Sequence, residues 1–375
     1  MTKLMSKKDQ LFELVRGNPY ISQQELAAQL QLSRSAVAGY LANLTKDGRI
    51  LGRAYVLPDR SPFICIGGAN IDRKLRSKGP LQMGTSNPVS QYESYAGVAR
   101  NIAENLARLG AATRLICAVG DDAAGQSLLT QADSVGIDVA ASLHVSGALS
   151  GSYTALLDDA GELVLAMAHM ELCESLTPAF LVSRQQQRAN AMMTIADMNL
   201  PLDSMQLLLD EANVNCTPLV VVAVSQPKMT RLPEQLTGLR LLILNNAELE
   251  QRHGHACATH DEMIAAGRRL QAQGVQDVII TLGEQGILFS DSNRGDAWTF
   301  CAAVPVESTA VVDVTGAGDA FVAGVCWSLR EQPDDLPLAC HRGQQLAAIT
   351  VKTTATVAQQ LHSSLFNEEI LCNPI

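Results

Sequence analysis

Nine consecutive residues, Asp313-Val314-Thr315-Gly316-Ala317-Gly318-Asp319-Ala320-Phe321, carry the most specific chemistry in the chain. Two glycines separated by one small residue stand where an apolar helix over 320–329 should begin. Backbone N–H groups at a helix N-terminus attract anions, and glycine lets an anion come close to the backbone. A carboxylate at the same place, Asp319, would repel a phosphate. It makes sense as a base that takes a proton from an attacking hydroxyl while the N–H groups hold a phosphoryl group in transfer. The bare tetrapeptide Gly316-Ala317-Gly318-Asp319 also suits an ordinary capped helix.

Further pieces stand upstream. They are Gly67-Gly68-Ala69-Asn70-Ile71-Asp72, Ala96-Gly97-Val98-Ala99-Arg100-Asn101-Ile102-Ala103, Asn245-Asn246-Ala247-Glu248 and Thr281-Leu282-Gly283-Glu284-Gln285-Gly286. With the 313–321 run, these five motifs, in this order, resemble the ribokinase-like (PfkB) carbohydrate kinases over about residues 63–360. The resemblance implies a ribokinase-like α/β/α sandwich with a small β flap. It also implies an enzyme that phosphorylates an alcohol group using ATP.

Several roles follow from the resemblance. Asp319 would be the base, and Gly316, Ala317 and Gly318 would supply N–H groups. Asn70 and Asp72, read as part of the first strand, with Gly97 and Asn101 would meet the substrate. Asn245 and Glu248 would position Mg²⁺ and its waters. Thr281, Gly283, Gly286 and Thr315 would line the nucleotide site, and Asp313 would help hold a monovalent cation such as K⁺. Shorter stretches, 85–88, 99–110, 159–162 and Ala196-Asp197-Met198-Asn199, are similar to pseudouridine and related nucleoside kinases, so Asn199 is expected near the substrate. Two departures stand out. Ala96 replaces the first glycine of its motif, and no acid follows the apolar run Val221-Val222-Ala223-Val224-Ser225.

Outside the kinase-like stretch, the N-terminal residues read differently. A helix over 7–16 is followed by one over 23–30, opened by the capping box Ser22-Gln23-Gln24-Glu25. A third over 34–46 starts after Ser33, and 50–57 alternates like a small hairpin. The pattern resembles a winged helix-turn-helix. Ser33, Arg34 and Ser35 would then face base edges, with Tyr40, Lys46, Arg49 and Arg53 toward phosphates. The same helices also suit a protein-binding or dimerisation module.

The charge divides along the same line. Residues 1–60 hold nine Lys or Arg against five Asp or Glu, a charge of +4. The remainder holds 19 against 33, or −14. The net charge of -10 therefore hides a basic end. Two domains are expected, a winged helix-turn-helix over 1–58 and a kinase domain over 63–375, joined by Pro58-Asp59-Arg60-Ser61-Pro62.

Within the larger part, apolar runs at 63–67, 113–119, 191–197, 219–224, 240–244 and 277–282 alternate with helical stretches. Such runs suggest a parallel sheet covered on both faces. The segments 84–95 and 151–168 break that rhythm and are assigned to the flap. Nine dispersed cysteines include no C-x-x-C pair, so reduced thiols and a cytoplasmic protein are expected. Neither a signal peptide nor a membrane span is expected. The seven histidines show no metal spacing. The expected partners are a sugar or nucleoside, DNA through residues 1–58, and a second copy in a homodimer. The competing reading is a transcriptional regulator whose kinase-like domain only senses its ligand.

Overall fold

In the computed structural model the described residues are 5–51, 61–295 and 297–366. The expected hairpin over 50–57, Arg53, most of the 58–62 linker and Cys372 lie wholly or largely outside them. The chain divides into two compact units. One holds the residues up to Pro62 with Leu181–Ala191, and the other holds Phe63–Phe180 with Met192 onward.

In the first unit, helices Lys7–Gly17, Gln23–Leu30 and Arg34–Lys46 bury Leu11, Leu26, Val37 and Leu44 against one another. Ser22 and Glu25 form the reciprocal capping box. Ser33 caps the third helix by accepting from the Ala36 amide at 3.1 Å. A cap of this kind contributes about 1 kcal/mol. Gln31, in the left-handed conformation, makes the tight turn between the last two helices.

The second unit is built on a nine-stranded sheet. From one edge its order is Ala297–Ala302, Gly286–Asp291, Asp277–Thr281, Leu239–Asn245, Leu219–Val222, Met193–Asp197, Phe63–Ile66, Thr113–Ile116 and Ile137–Asp138. The seven strands from Asp277–Thr281 onward are parallel, and the first two join antiparallel. The central strands Phe63–Ile66, Met193–Asp197 and Leu219–Val222 are buried along their whole length. That is why they read as largely apolar runs. Helix Val98–Arg108 packs on the sheet and on Ala317–Glu331, which lies along Leu336–Thr350.

A second, four-stranded sheet has the order Val89–Ala96, Asn70–Ser77, Ser152–Leu157 and Leu163–His169. Two sequence expectations change here. Asn70 and Asp72 do not belong to the first strand, which ends at Ile66. Gly67 and Gly68 break it, and Asn70–Ser77 becomes an inner strand of the flap. The expected single strand over 113–119 is two, because Ala118–Gly120 leaves the large sheet to pair with Leu143–Val145.

Candidate active site

The chemically pointed residues gather where the parallel strands end. Gly67 and Gly68 follow Phe63–Ile66. Asp197, Asn245 and Thr281 close their own strands, and Asn245 and Thr281 are register partners. Ligands of open α/β sheets bind outside these carboxyl ends.

Helix Ala317–Glu331 begins at Gly316, whose φ of +84° is left-handed. A Cβ there would meet the Thr356 carbonyl oxygen at 2.0 Å, so only glycine makes this turn. No side chain caps the helix. The Ala317 amide donates to the Val314 carbonyl at 3.2 Å, and the N–H groups of Gly316 and Gly318 on either side of it suit an anion. Asp319 sits half-buried in the first turn and accepts from Asn101 Nδ2 at 2.8 Å. Desolvation pushes its carboxyl up to about 7. The Asn101 hydrogen bond opposes that rise, and Asp197 and Asp72 add to it. A carboxyl near neutrality suits a general base at physiological pH.

Asn101 is buried on helix Val98–Arg108, one turn from Gly97. Gly97 has φ +111°, and a Cβ there would lie 2.4 Å from the Gly68 carbonyl oxygen. Ala96 needs no positive φ and is buried opposite Asn70, so its methyl group is accommodated. Asn70 Nδ2 donates to Asp72 Oδ1 at 2.6 Å. Burial raises the Asp72 pKa, and the Asn70 bond partly offsets this.

Asp197 links these segments, and the sequence reading assigned it no role. It is 1% exposed. Its Oδ2 accepts from the amides of Gly68 at 2.8 Å and Ala99 at 2.9 Å, and its Oδ1 from the Asn199 amide at 2.8 Å. It thereby caps helix Val98–Arg108 from a distant strand, since the N-cap Gly97 has no side chain to do so. An acid closing a largely apolar run was the available signal. Lys228 also went unnoticed. Its Nζ donates to Asn199 Oδ1 at 2.8 Å, and Arg231 donates to the Asn199 carbonyl at 2.7 Å.

On the other side of the site, Asn245 and Glu248 form a reciprocal capping box on helix Asn246–His253. Asn245 Oδ1 accepts from the Glu248 amide at 2.9 Å, and Glu248 Oε2 from the Asn245 amide at 2.8 Å. Burial raises the Glu248 pKa. Gly283 and Gly286 bound the 3₁₀ turn Gly283–Gln285 after Thr281. Among the described residues no group of three or more His, Cys, Asp or Glu could hold a metal ion. Asp313 is engaged by Thr315 and by Lys74, a flap residue. Partial burial opposes its ionisation, but Lys74 and Thr315 together hold its carboxyl below the usual range.

In the first unit, Arg34 and Ser35 are exposed at the start of helix Arg34–Lys46, and Ser33 Oγ lies 2.9 Å from Ser35 Oγ. Lys46 is exposed. Tyr40 packs partly against the core. Arg49 pairs with Asp9 at 3.1 Å and lies over the Phe12 ring. In this structure its charge is thus engaged within the unit itself.

Comparison with known proteins agrees with this geometry. Residues 10–50 match the winged helix-turn-helix DNA-binding family. The chain is 30% identical to the "Uncharacterized sugar kinase YeiI" of Escherichia coli, covering 87% of this chain and 88% of that protein. It is 34% identical to the pseudouridine kinase of the same species, covering 72% and 84%. A carbohydrate kinase from Agrobacterium tumefaciens superposes with a TM-score of 0.69 at 28% identity, covering 82% and 96%. Arabidopsis thaliana ribokinase, solved with ribose and ATP, has the same fold, with a TM-score of 0.68 at 19% identity, covering 79% and 94%. The pfkB family carbohydrate kinase model matches residues 62–362. The chain is therefore a kinase of the pfkB carbohydrate kinase family, preceded by a winged helix-turn-helix.

Proposed function

We propose that this kinase transfers the γ-phosphoryl group of ATP to a hydroxymethyl group of a sugar or nucleoside, with a pseudouridine-like nucleoside favoured. One observation carries the reading. A carboxyl poised near neutrality, Asp319, stands in the first turn of a helix whose N-terminus has no side-chain cap. Asp319 takes the proton of the acceptor hydroxyl while the N–H groups of Gly316 and Gly318 receive the charge on the transferring group, and that of Ala317 joins them by exchanging its bond to Val314. Asn70, Asp72, Gly97, Asn101 and Asn199 hold the acceptor. Thr281, Gly283, Gly286 and Thr315 border the nucleotide.

Bound Mg²⁺ would neutralise phosphate charge. Glu248 commits Oε2 to its helix cap, and the other oxygen suits a contact to the ion's water shell. The similarity to the Escherichia coli pseudouridine kinase supports the nucleoside preference. A coupled ADP-release screen over pentoses, hexoses, ribonucleosides and pseudouridine tests the reading. Turnover of a nucleoside above the free sugars is expected, and a panel without ADP release would overturn it. With the best acceptor, kcat/KM should rise with pH through an apparent pKa of about 7, because the base must be ionised. A rate flat from pH 5 to 8, to take roughly the range where His-like groups titrate, would speak against Asp319 as the base.

Residues 1–58 and 63–375 are proposed as separate domains, the first binding DNA through Ser33, Arg34, Ser35 and Tyr40. The exposed Arg34 at a helix N-terminus supports this. In a gel shift, Arg34→Ala should weaken binding by about 1–3 kcal/mol and relax the sequence preference. A salt-insensitive or absent shift for the wild type would count against DNA binding. A cytoplasmic homodimer is also proposed. Its support is the outer strand of the flap, Leu163–His169, which exposes Leu163, Val164, Leu165 and Met167.

A further inference from the structure

Lys74 lies on the flap strand Asn70–Ser77 and reaches the loop that enters helix Ala317–Glu331. Its Nζ forms an ion pair with Asp313 Oδ2 and lies 3.4 Å from Thr315 Oγ1. Asp313 Oδ1 accepts from the Thr315 amide at 3.0 Å and from the Thr315 hydroxyl at 2.7 Å. Both carboxylate oxygens are therefore engaged, one of them by a full positive charge. Family resemblance places a monovalent cation at Asp313. A metal ion against the same carboxylate would sit beside the Lys74 ammonium. In a partly buried site, two like charges that close repel strongly. The residues present do not fit K⁺ at Asp313.

We infer that Lys74 replaces that ion, supplying the fixed positive charge beside residues 315–318 and making the kinase independent of K⁺. The inference rests on the phosphoryl-transfer reading above. An unpaired Asp313 carboxylate near that loop would repel an incoming phosphoryl group. The Lys74 ammonium, a compact charge on a flexible stem, removes that repulsion. Because Lys74 belongs to the flap, the same bond ties the flap to the transfer loop.

The test compares full-length wild type, Lys74→Ala and Lys74→Arg in KCl and in tetramethylammonium chloride at about 0.1 M ionic strength. Tetramethylammonium is too bulky to take the place of K⁺. Thermal unfolding and ADP release are both read. Wild type should give the same melting temperature in the two salts and rates within about twofold. Lys74→Ala should lose about tenfold in rate or more in tetramethylammonium. In KCl it should recover part of that rate and gain a K⁺-specific rise in melting temperature. Lys74→Arg should stay insensitive to K⁺. If Lys74→Ala does not fold, Lys74→Met, which keeps the aliphatic stem, takes its place. K⁺ activation of the wild type would overturn the inference. So would a Lys74→Ala that is unaffected in rate, or one that K⁺ neither stabilises nor rescues. If no acceptor releases ADP, the kinase reading fails, and the unfolding data still decide the role of Lys74.

Discussion

Asp319→Asn should lower kcat by on the order of 10²–10⁴-fold, the usual contribution of a positioned general base, with KM for the acceptor changed little. The substitution keeps the shape of the side chain. An amide oxygen can still accept from Asn101 Nδ2, which donates to Asp319 at 2.8 Å in the wild type. What disappears is the ability to take a proton. The rise of kcat/KM through about pH 7 should vanish with it.

Stability should move in the opposite direction. The folded carboxyl titrates near 7, above its ordinary carboxylate range, so the folded state holds its proton more tightly than the unfolded chain does. Any stability this provides is present at low pH and is lost as pH rises toward 7. Above that pH the wild type carries a desolvated charge that Asn does not. Asp319→Asn should therefore melt at a higher temperature than wild type at pH 8, a value taken as about one unit above that pKa. Steady-state ADP release and thermal melts across pH check both claims. Unchanged ADP release with the best acceptor would remove Asp319 from the role of base.

Asp197→Ala should lower stability by on the order of 3 kcal/mol and abolish detectable turnover, because three buried amide donors lose their acceptor. Those donors belong to Gly68, Ala99 and Asn199, and each lies within 2.9 Å of the carboxylate. Together they position the first glycine turn, the helix that carries Asn101, and the loop that carries Asn199. The buried charge itself is costly, which is why burial raises the Asp197 pKa. The three hydrogen bonds offset that cost only as a set. Asp197→Asn is the sharper variant, since its NH₂ group must face at least one N–H donor and leave it unsatisfied. It should also destabilise, by less than Ala. Denaturant melts followed by circular dichroism measure the loss. A midpoint equal to wild type in both variants would show that Asp197 does not organise the pocket.

The contrast between Asp319 and Asp197 shows what kind of information a sequence holds. Asp319 stood out in the sequence because the features around it are local. Gly316, Ala317 and Gly318 precede it, an apolar helix follows, and a helix N-terminus has the same electrostatics in any fold. The cap at Ser22 and the succession of apolar runs along the chain were legible for the same reason. Asn245 and Glu248 have the same capping-box spacing as Ser22 and Glu25, so their mutual cap was equally local and went unread. Asp197 looked like the end of a strand, and the donors it binds at Gly68 and Ala99 lie 129 and 98 residues upstream.

By itself, then, the sequence determined the α/β class, the kinase family and the winged helix-turn-helix that precedes it. Each depends on periodicity, caps and glycines within a few residues of one another. The tertiary structure alone decided that Asn70 and Asp72 start a flap strand, that Arg49 meets Asp9 and Phe12, and that Asp197 anchors three segments. It also decided that Lys74 meets Asp313 across 239 residues of chain. Such contacts are set by which strands become neighbours in the sheets, and no spacing along the chain encodes that pairing directly.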